Sequence, residues 1–282
     1  MPSQTPAIGS FAGLTLERTR IVGIINATPD SFSDGGEAFR AEDAITRGRC
    51  MLEEGADILD VGGESTRPGA VPVPVEEEMA RVLPVVEALA AEGAIVSVDS
   101  RRADVMKAAL AVGARVTNDV TALTHDPDSI VVAADNGAHV ILMHMQGEPG
   151  TMQDNPRYED AAQEVHDFLV EQIMACEAAN IPRVRIAVDP GIGFGKNLDH
   201  NLDILARLDL YRDIGCALML GVSRKSFIGK ITGEKDPKSC VPGSLASALA
   251  AVRQGARLLR VHDVAETRQA LNVWEAIEKV RA

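Results

Sequence analysis

Eight short apolar runs, each ending in polar or glycine residues, recur along the chain, and they constrain the fold more than any other feature of the sequence. They are IVGIIN (21–26), DILDVG (57–62), AIVSVD (94–99), ARVTN (114–118), HVILM (139–143), RIAVD (185–189), ALMLGV (217–222) and ARLLRV (256–261). Each has the length of a strand, and most lack the polar alternation of a half-exposed one, so they read as strands buried on both faces. Between them lie stretches with helical spacing of apolar residues: 41–54, 76–91, 102–112, 127–136, 158–179, 201–213, 243–254 and 265–280. Asp99 and Ser100 stand ahead of the third of these, and Pro74 leads into an acidic first turn, Glu76, Glu77 and Glu78, that suits the helix dipole. Glycines 55, 93, 113, 137, 215 and 255 follow or approach helix ends, where a left-handed residue is needed.

Strict alternation of strand and helix means a parallel sheet covered by helices, and eight repeats close into a (β/α)8 TIM barrel. A doubly wound open sheet is the competitor. The position of the chemistry decides between them: polar residues follow almost every strand, whereas the segments entering the strands are short and bland. The expectation is an α/β fold, one (β/α)8 barrel spanning 1–282, with its active site at the C-terminal ends of the strands and a loose or hairpin lead-in over 1–15.

Composition narrows the class of function. Hydrophobic residues at 46% and charged residues at 24% exclude disordered and collagen-like chains. With 28 basic against 41 acidic side chains the net charge is −13, which argues against a nucleic-acid partner. Cys50, Cys176, Cys216 and Cys240 form no CxxC pair, so neither a zinc knuckle nor a dithiol redox site is indicated. The first residues lack the apolar block of a signal peptide, and no apolar run approaches the roughly 18 residues of a membrane span. A cytoplasmic protein without a membrane partner is expected.

The loops after the strands carry the chemistry. The first, NATPDSFSDGG, offers Asn26 as a neutral oxygen donor and Asp34 as a charged one, with an Asx turn or helix cap as the plain alternative. The second, GGESTRPGA, gathers backbone donors, Ser65, Thr66 and Arg67 in one turn suited to an oxyanion. Asp99, Asn118 and Asp189 close three different strands and so face one mouth, as metal ligands, an acid–base pair, or acceptors for an amidine-like edge. A helix cap is the alternative for Asp99, and Asp119 reads as such a cap. The stretch GIGFGKN is not a Walker loop, because Asn197 follows Lys196 where Ser or Thr is required. After strands seven and eight, Arg224, Lys225, Ser226, Arg260 and His262 concentrate cations at one mouth of an acidic protein, which points to a small anionic substrate. His139 and His166 read as packing or surface residues, and His144 as structural.

In this order NATPDSFSDGG, GGESTRPGA, VSVDS, TNDV, MHMQG, DPGIGFGK, SRKSFIG and RVHDV resemble the dihydropteroate synthase family, from about residue 21 to the C-terminus. The resemblance implies a pterin-binding barrel that joins 6-hydroxymethyl-7,8-dihydropterin diphosphate to p-aminobenzoate with Mg²⁺, releasing pyrophosphate. It implies pterin contacts from Asp99, Asn118, Asp189 and Lys225, with Met143 and Phe194 as apolar neighbours. It implies a diphosphate end at Asn26, Arg67, Arg260 and His262, metal ligation by Asn26 and Asp34, and a p-aminobenzoate site at Phe32, Thr66, Pro68 and Ser226. Arg67, Lys225, Arg260 and His262 are the groups expected to act in catalysis, and a homodimer is the expected assembly. Ala27 and Ala122 depart from the family's usual valine and glycine, at positions that supply no catalytic group. The rival within the same barrel type is a methyltetrahydrofolate-dependent methyltransferase, against which SRKSFIG, RVHDV and TPDSFSDGG count because it needs no diphosphate clamp; a catalytically silent pterin-binding barrel is the rival of another class.

Overall fold

The computed structural model describes residues 9–28, 37–65 and 72–281. A small hairpin, β1 (Ser10–Phe11) with β2 (Leu14–Thr15), precedes eight parallel strands that close into a barrel. These are β3 (Arg20–Asn26), β4 (Ile58–Gly62), β5 (Val96–Asp99), β6 (Val116–Asp119), β7 (His139–Met143), β8 (Ile186–Asp189), β9 (Ala217–Leu220) and β10 (Leu258–Val261), paired in chain order with β10 returning to β3. The closed barrel, rather than the open sheet, is therefore the fold.

Successive strand residues alternate between two cores. Val22, Ile58, Val116, Ile141, Ala187, Ala217 and Leu258 cluster with Phe11, Ala12 and Leu16 of the hairpin. Ile21, Leu59, Val96, Val140, Ile186, Leu218 and Leu259 instead pack against the helices. The hairpin is held there by the Ala12 amide, which donates to His139 Nδ1 at 3.2 Å, with Phe11 edge-on to that ring. It packs at the strands' N-terminal ends, leaving the C-terminal ends for the chemistry.

The helices are α1 (Glu37–Glu53), α2 (Val75–Ala91), α3 (Ala103–Ala111), α4 (Ser129–Asp135), α5 (Ala161–Ala178), α6 (Leu198–Ala206), α7 (Ser226–Thr232), α8 (Val241–Arg253) and α9 (Val264–Arg281). In α2 the wholly buried Val82, Val85, Val86 and Leu89 repeat at the spacing of one helix face, each contributing about 1.5–3 kcal/mol of burial. The six glycines expected near helix ends all have positive φ. No described helix is long and apolar enough to cross a membrane.

Two helical expectations need correction. The helix expected over 201–213 starts earlier, because the Asn197 side chain caps the His200 amide at 2.9 Å and the His200 ring accepts from the Asn197 amide. It also ends at Ala206 and tightens into a 3-10 turn over Leu208–Ile214, since Gln254 takes up the Leu208 amide (3.1 Å) and the Leu205 carbonyl (2.7 Å). Helix α7 was not expected; seven residues are too few to show a period, and its stability comes from burying Phe227 and Ile228.

Candidate active site

The barrel register sets the mouth. Asn26 pairs with Gly62, Gly62 with Asp99 and Asp99 with Asn118, so one row crosses four strands at their C-terminal ends. Met143 pairs with Asp189 on the other side. Side chains in such a row face the same way, which brings carboxylates distant in sequence to one pocket.

Arg260 of β10 organises this floor. Its Nη2 donates to Asp99 Oδ2 at 2.6 Å and its Nε to Asp60 Oδ2 at 2.7 Å. Asp60, wholly buried within β4, also accepts from Asn118 Nδ2 at 2.9 Å. Burial pushes the Asp99 carboxyl up to about 7, with Arg260 pulling it down and Asp60 adding to the rise. Burial works against the charge on Arg260, but Asp60 and Asp99 more than offset it and hold the guanidinium above its ordinary value. Asp99 therefore serves the mouth and not a helix cap: α3 takes its first amide bond from Asp126, which accepts from Ala103 at 2.9 Å. Asp119 is not a helix cap either, since it accepts from the Thr121 amide (2.7 Å) and the Leu123 amide (3.1 Å), closing the turn after β6.

On the opposite wall, buried Asp189 accepts the Gly191 amide at 2.8 Å, and burial raises its pKa against the pull of that bond and of Lys225. The Lys225 ammonium lies 4.0 Å from the centroid of the Phe194 ring. Burial lowers Lys225 to about 8, with Asp189 opposing. Phe194 belongs to the glycine-rich loop after β8, which crosses the exit of β7 so closely that a Cβ on Gly191 would lie 1.9 Å from the His144 carbonyl oxygen. A Cβ on Gly195 would lie 2.3 Å from that of Gln146.

Lys196 pins this loop from inside. It is 1% exposed and donates to the carbonyls of Gly191 (3.0 Å), Phe194 (3.0 Å) and His144 (3.3 Å). Its Nζ is also 2.9 Å from His144 Nδ1. Burial brings Lys196 down to about 7 and His144 to about 2, so the imidazole is neutral and structural, as expected. The sequence excludes a phosphate loop here and gives this lysine no other role; the glycines around it, which force a tight backbone with inward carbonyls, are the one local hint of an internal partner.

The cation cluster after β9 and β10 is smaller than expected. Arg224 is paired through both Nε (3.0 Å) and Nη2 with Asp263. Burial and the nearby Arg260 and Arg224 lower His262 to about 3, so it stands neutral, and its Nδ1 is 3.1 Å from Ser223 Oγ. Among the described residues after β9 and β10, Lys225 and Arg260 remain as the positive groups of this cluster, and Ser226 is exposed at the start of α7.

Phe32, Asp34, Thr66, Arg67 and Pro68 lie outside the described residues. The flanks of the second loop are tied by Glu64, which the sequence did not single out. It accepts from Arg101 (3.2 Å), Arg102 (2.6 Å) and the Val73 amide (3.2 Å). Among the described residues no three His, Cys, Asp or Glu side chains gather to hold a metal. Asn26, half-buried at the end of β3, is the member of the expected metal pair that lies among the described residues, and its amide oxygen is a hard ligand of the kind Mg²⁺ takes.

The sequence profile described as "Pterin binding enzyme" matches residues 22–262. The dihydropteroate synthase of Escherichia coli (strain K12) is 47% identical over 264 residues, covering 93% of this chain and 93% of that protein. The solved structure of Xanthomonas albilineans dihydropteroate synthase with 4-aminobenzoic acid superposes with a TM-score of 0.89 at 50% identity, covering 94% and 95% of the two chains. That of the same enzyme in complex with 7,8-dihydropteroate gives 0.86 at 47% identity, with the same coverage. Barrel, mouth and sequence agree, and the chain belongs to the dihydropteroate synthases of the pterin-binding enzyme family.

Proposed function

We propose that this mouth joins 6-hydroxymethyl-7,8-dihydropterin diphosphate to p-aminobenzoate, forming 7,8-dihydropteroate and releasing pyrophosphate. As a dihydropteroate synthase the protein is a transferase of folate biosynthesis. The observation that carries the reading is the set Asp99, Asn118 and Asp189 at the ends of β5, β6 and β8, with Lys225 seated on Phe194. Buried carboxylates and an amide around one pocket accept the N–H groups of a flat amidine-like edge. Met143, buried beside Asp189, and Phe194 supply apolar surface for the ring.

Asn26, Arg67, Arg260 and His262 bind the diphosphate in this reading. Mg²⁺ would be held by Asn26 and Asp34 and would neutralise charge on the leaving group. Neutral His262 gives a hydrogen bond to an oxygen that becomes more negative as the C–O bond breaks, and a preorganised donor of this kind contributes about 10² to 10³ in rate. Lys225, Arg260 and the carboxylates hold the pterin so that its methylene faces the arylamine bound by Phe32, Thr66, Pro68 and Ser226. The arylamine is already a competent nucleophile and sheds its proton after attack, so the site needs orientation more than a general base.

The protein is further proposed to work in the cytoplasm as a homodimer. Support for pairing comes from α9, which exposes Val273 and Ile277 beside an apolar cleft that Leu245, Leu249 and Trp274 line with α8. Pyrophosphate release, measured with and without p-aminobenzoate, tests the activity: release dependent on the arylamine supports the synthase, and no release in its presence would overturn it.

A further inference from the structure

We propose that Asp60, which stands outside the residues assigned to substrates, is the positioning residue that decides which hydrogen-bonding groups Asn118 and Arg260 present to the pterin; this rests on the pterin reading of the mouth. Asp60 pairs in register with Ile24 and Ser97, two residues below the row of Asn26, Gly62, Asp99 and Asn118. It is wholly buried. Its Oδ2 alone receives Asn118 Nδ2 from β6 at 2.9 Å and Arg260 Nε from β10 at 2.7 Å. Its Oδ1 is buried and accepts no hydrogen bond from the described chain.

That arrangement is poor for stability and good for orientation. A buried carboxylate with half of its acceptor capacity unused is costly, and the apolar Ile24 beside it in the register shows that this layer takes hydrocarbon. An ionised carboxylate, however, only accepts. It admits the Nδ2 edge of Asn118 and rejects the Oδ1 edge, so the amide cannot flip and its oxygen, to which no described residue donates, is left for a ligand N–H. The same oxygen takes the single N–H of Arg260 Nε while Asp99 takes one N–H of Nη2, which fixes the plane of the guanidinium and leaves both N–H groups of Nη1 and the second of Nη2 as donors without a described partner. One buried group thereby sets an acceptor and a donor at fixed places on the pocket floor, the pattern that a heterocycle with neighbouring N–H and C=O groups requires.

Asp60→Asn tests this with little change in volume. An asparagine offers both donor and acceptor, so Asn118 is freed to turn and Arg260 loses one of its two counter-charges, keeping Asp99. We expect the KM for 6-hydroxymethyl-7,8-dihydropterin diphosphate to rise by about tenfold or more. The KM for p-aminobenzoate should stay within about twofold, the range in which distant sites behave independently. Adding D60N to N118A should raise the pterin KM by a smaller factor than adding it to the wild type, because part of the effect passes through Asn118. An unchanged pterin KM in folded D60N, or the same factor in both backgrounds, overturns the proposal. Should D60N fail to fold, the wild type still decides: with asparagine-labelled protein, the Asn118 side-chain NH₂, identified by its loss in N118A, should show one proton protected from exchange, and rapid averaging of both protons overturns the proposal. A wild type that binds no pterin diphosphate in calorimetry overturns the pterin reading itself, a result separate from pterin binding that D60N leaves untouched.

Discussion

The ammonium of Lys196 sits 3.0 Å from the carbonyl oxygen of Gly191, inside the loop that carries Phe194, and no carboxylate among the described residues is hydrogen-bonded to it. Its bonded partners are three backbone carbonyls and a neutral imidazole, so the charge is used to hold a backbone shape.

Lys196→Met should destabilise the protein by about 2–4 kcal/mol, because buried carbonyls lose their donor while the chain volume is nearly kept. Urea unfolding checks this. The pH dependence has a definite sign. Lys196 in the folded protein is lowered to about 7 from an ordinary 10.5, so between those values the unfolded chain binds the additional proton. Its contribution therefore grows more favourable as pH rises from 7 toward 10, and the stability gap between wild type and Lys196→Met should widen over that window. A gap that narrows would contradict the assignment.

Asp99 should make pterin binding depend on pH near neutrality. Its carboxyl is raised to about 7 from an ordinary 3.8, so the loss of the acceptor on acidification falls between about pH 8 and 6 and not below pH 4. Pterin affinity measured by calorimetry should fall across that window in the wild type and be weak but flatter in Asp99→Asn.

Arg260 and His262 should separate when each is replaced by alanine. Arg260→Ala leaves Asp60 and Asp99 without their cation and should cost about 3–5 kcal/mol of stability as well as activity. His262→Ala removes a neutral donor and should leave the midpoint of thermal unfolding nearly unchanged, while pyrophosphate binds more weakly and a pterin without diphosphate binds as before. Equal weakening of both ligands would mark the segment after β10 as structural.

Binding of p-aminobenzoate should depend on pyrophosphate and Mg²⁺. Arg67 and Asp34 stand in loops whose sequences are rich in Gly, Pro, Ser and Asp, and under the proposed function the anion and the metal would give each a partner of opposite charge. Equilibrium titration should show tighter p-aminobenzoate binding when both are present; equal affinities with and without them would show that the second site does not wait for the first.

The order of elements and the placing of Asp99, Asn118 and Asp189 at strand ends were legible because both are written locally. Short apolar runs such as VSVD and IAVD must be strands to bury both faces, and a polar residue at the end of each, Asp99 or Asp189, has nowhere to point but the rim of the barrel. Tertiary structure decided which of those residues are free and which are spent. Asp60 lies 200 positions from Arg260, and Lys196 lies 52 from His144, so nothing nearby in the chain announces either partnership. Arg224 reads as a cation for substrate until Asp263, 39 residues on, is seen to neutralise it. Likewise the last turn of α6 gives way to a 3-10 turn because Gln254, from the far end of α8, takes its hydrogen bonds. Apolar periodicity is a property of neighbours along the chain; desolvation and charge pairing belong to neighbours in space, and only closure of the barrel brings those together.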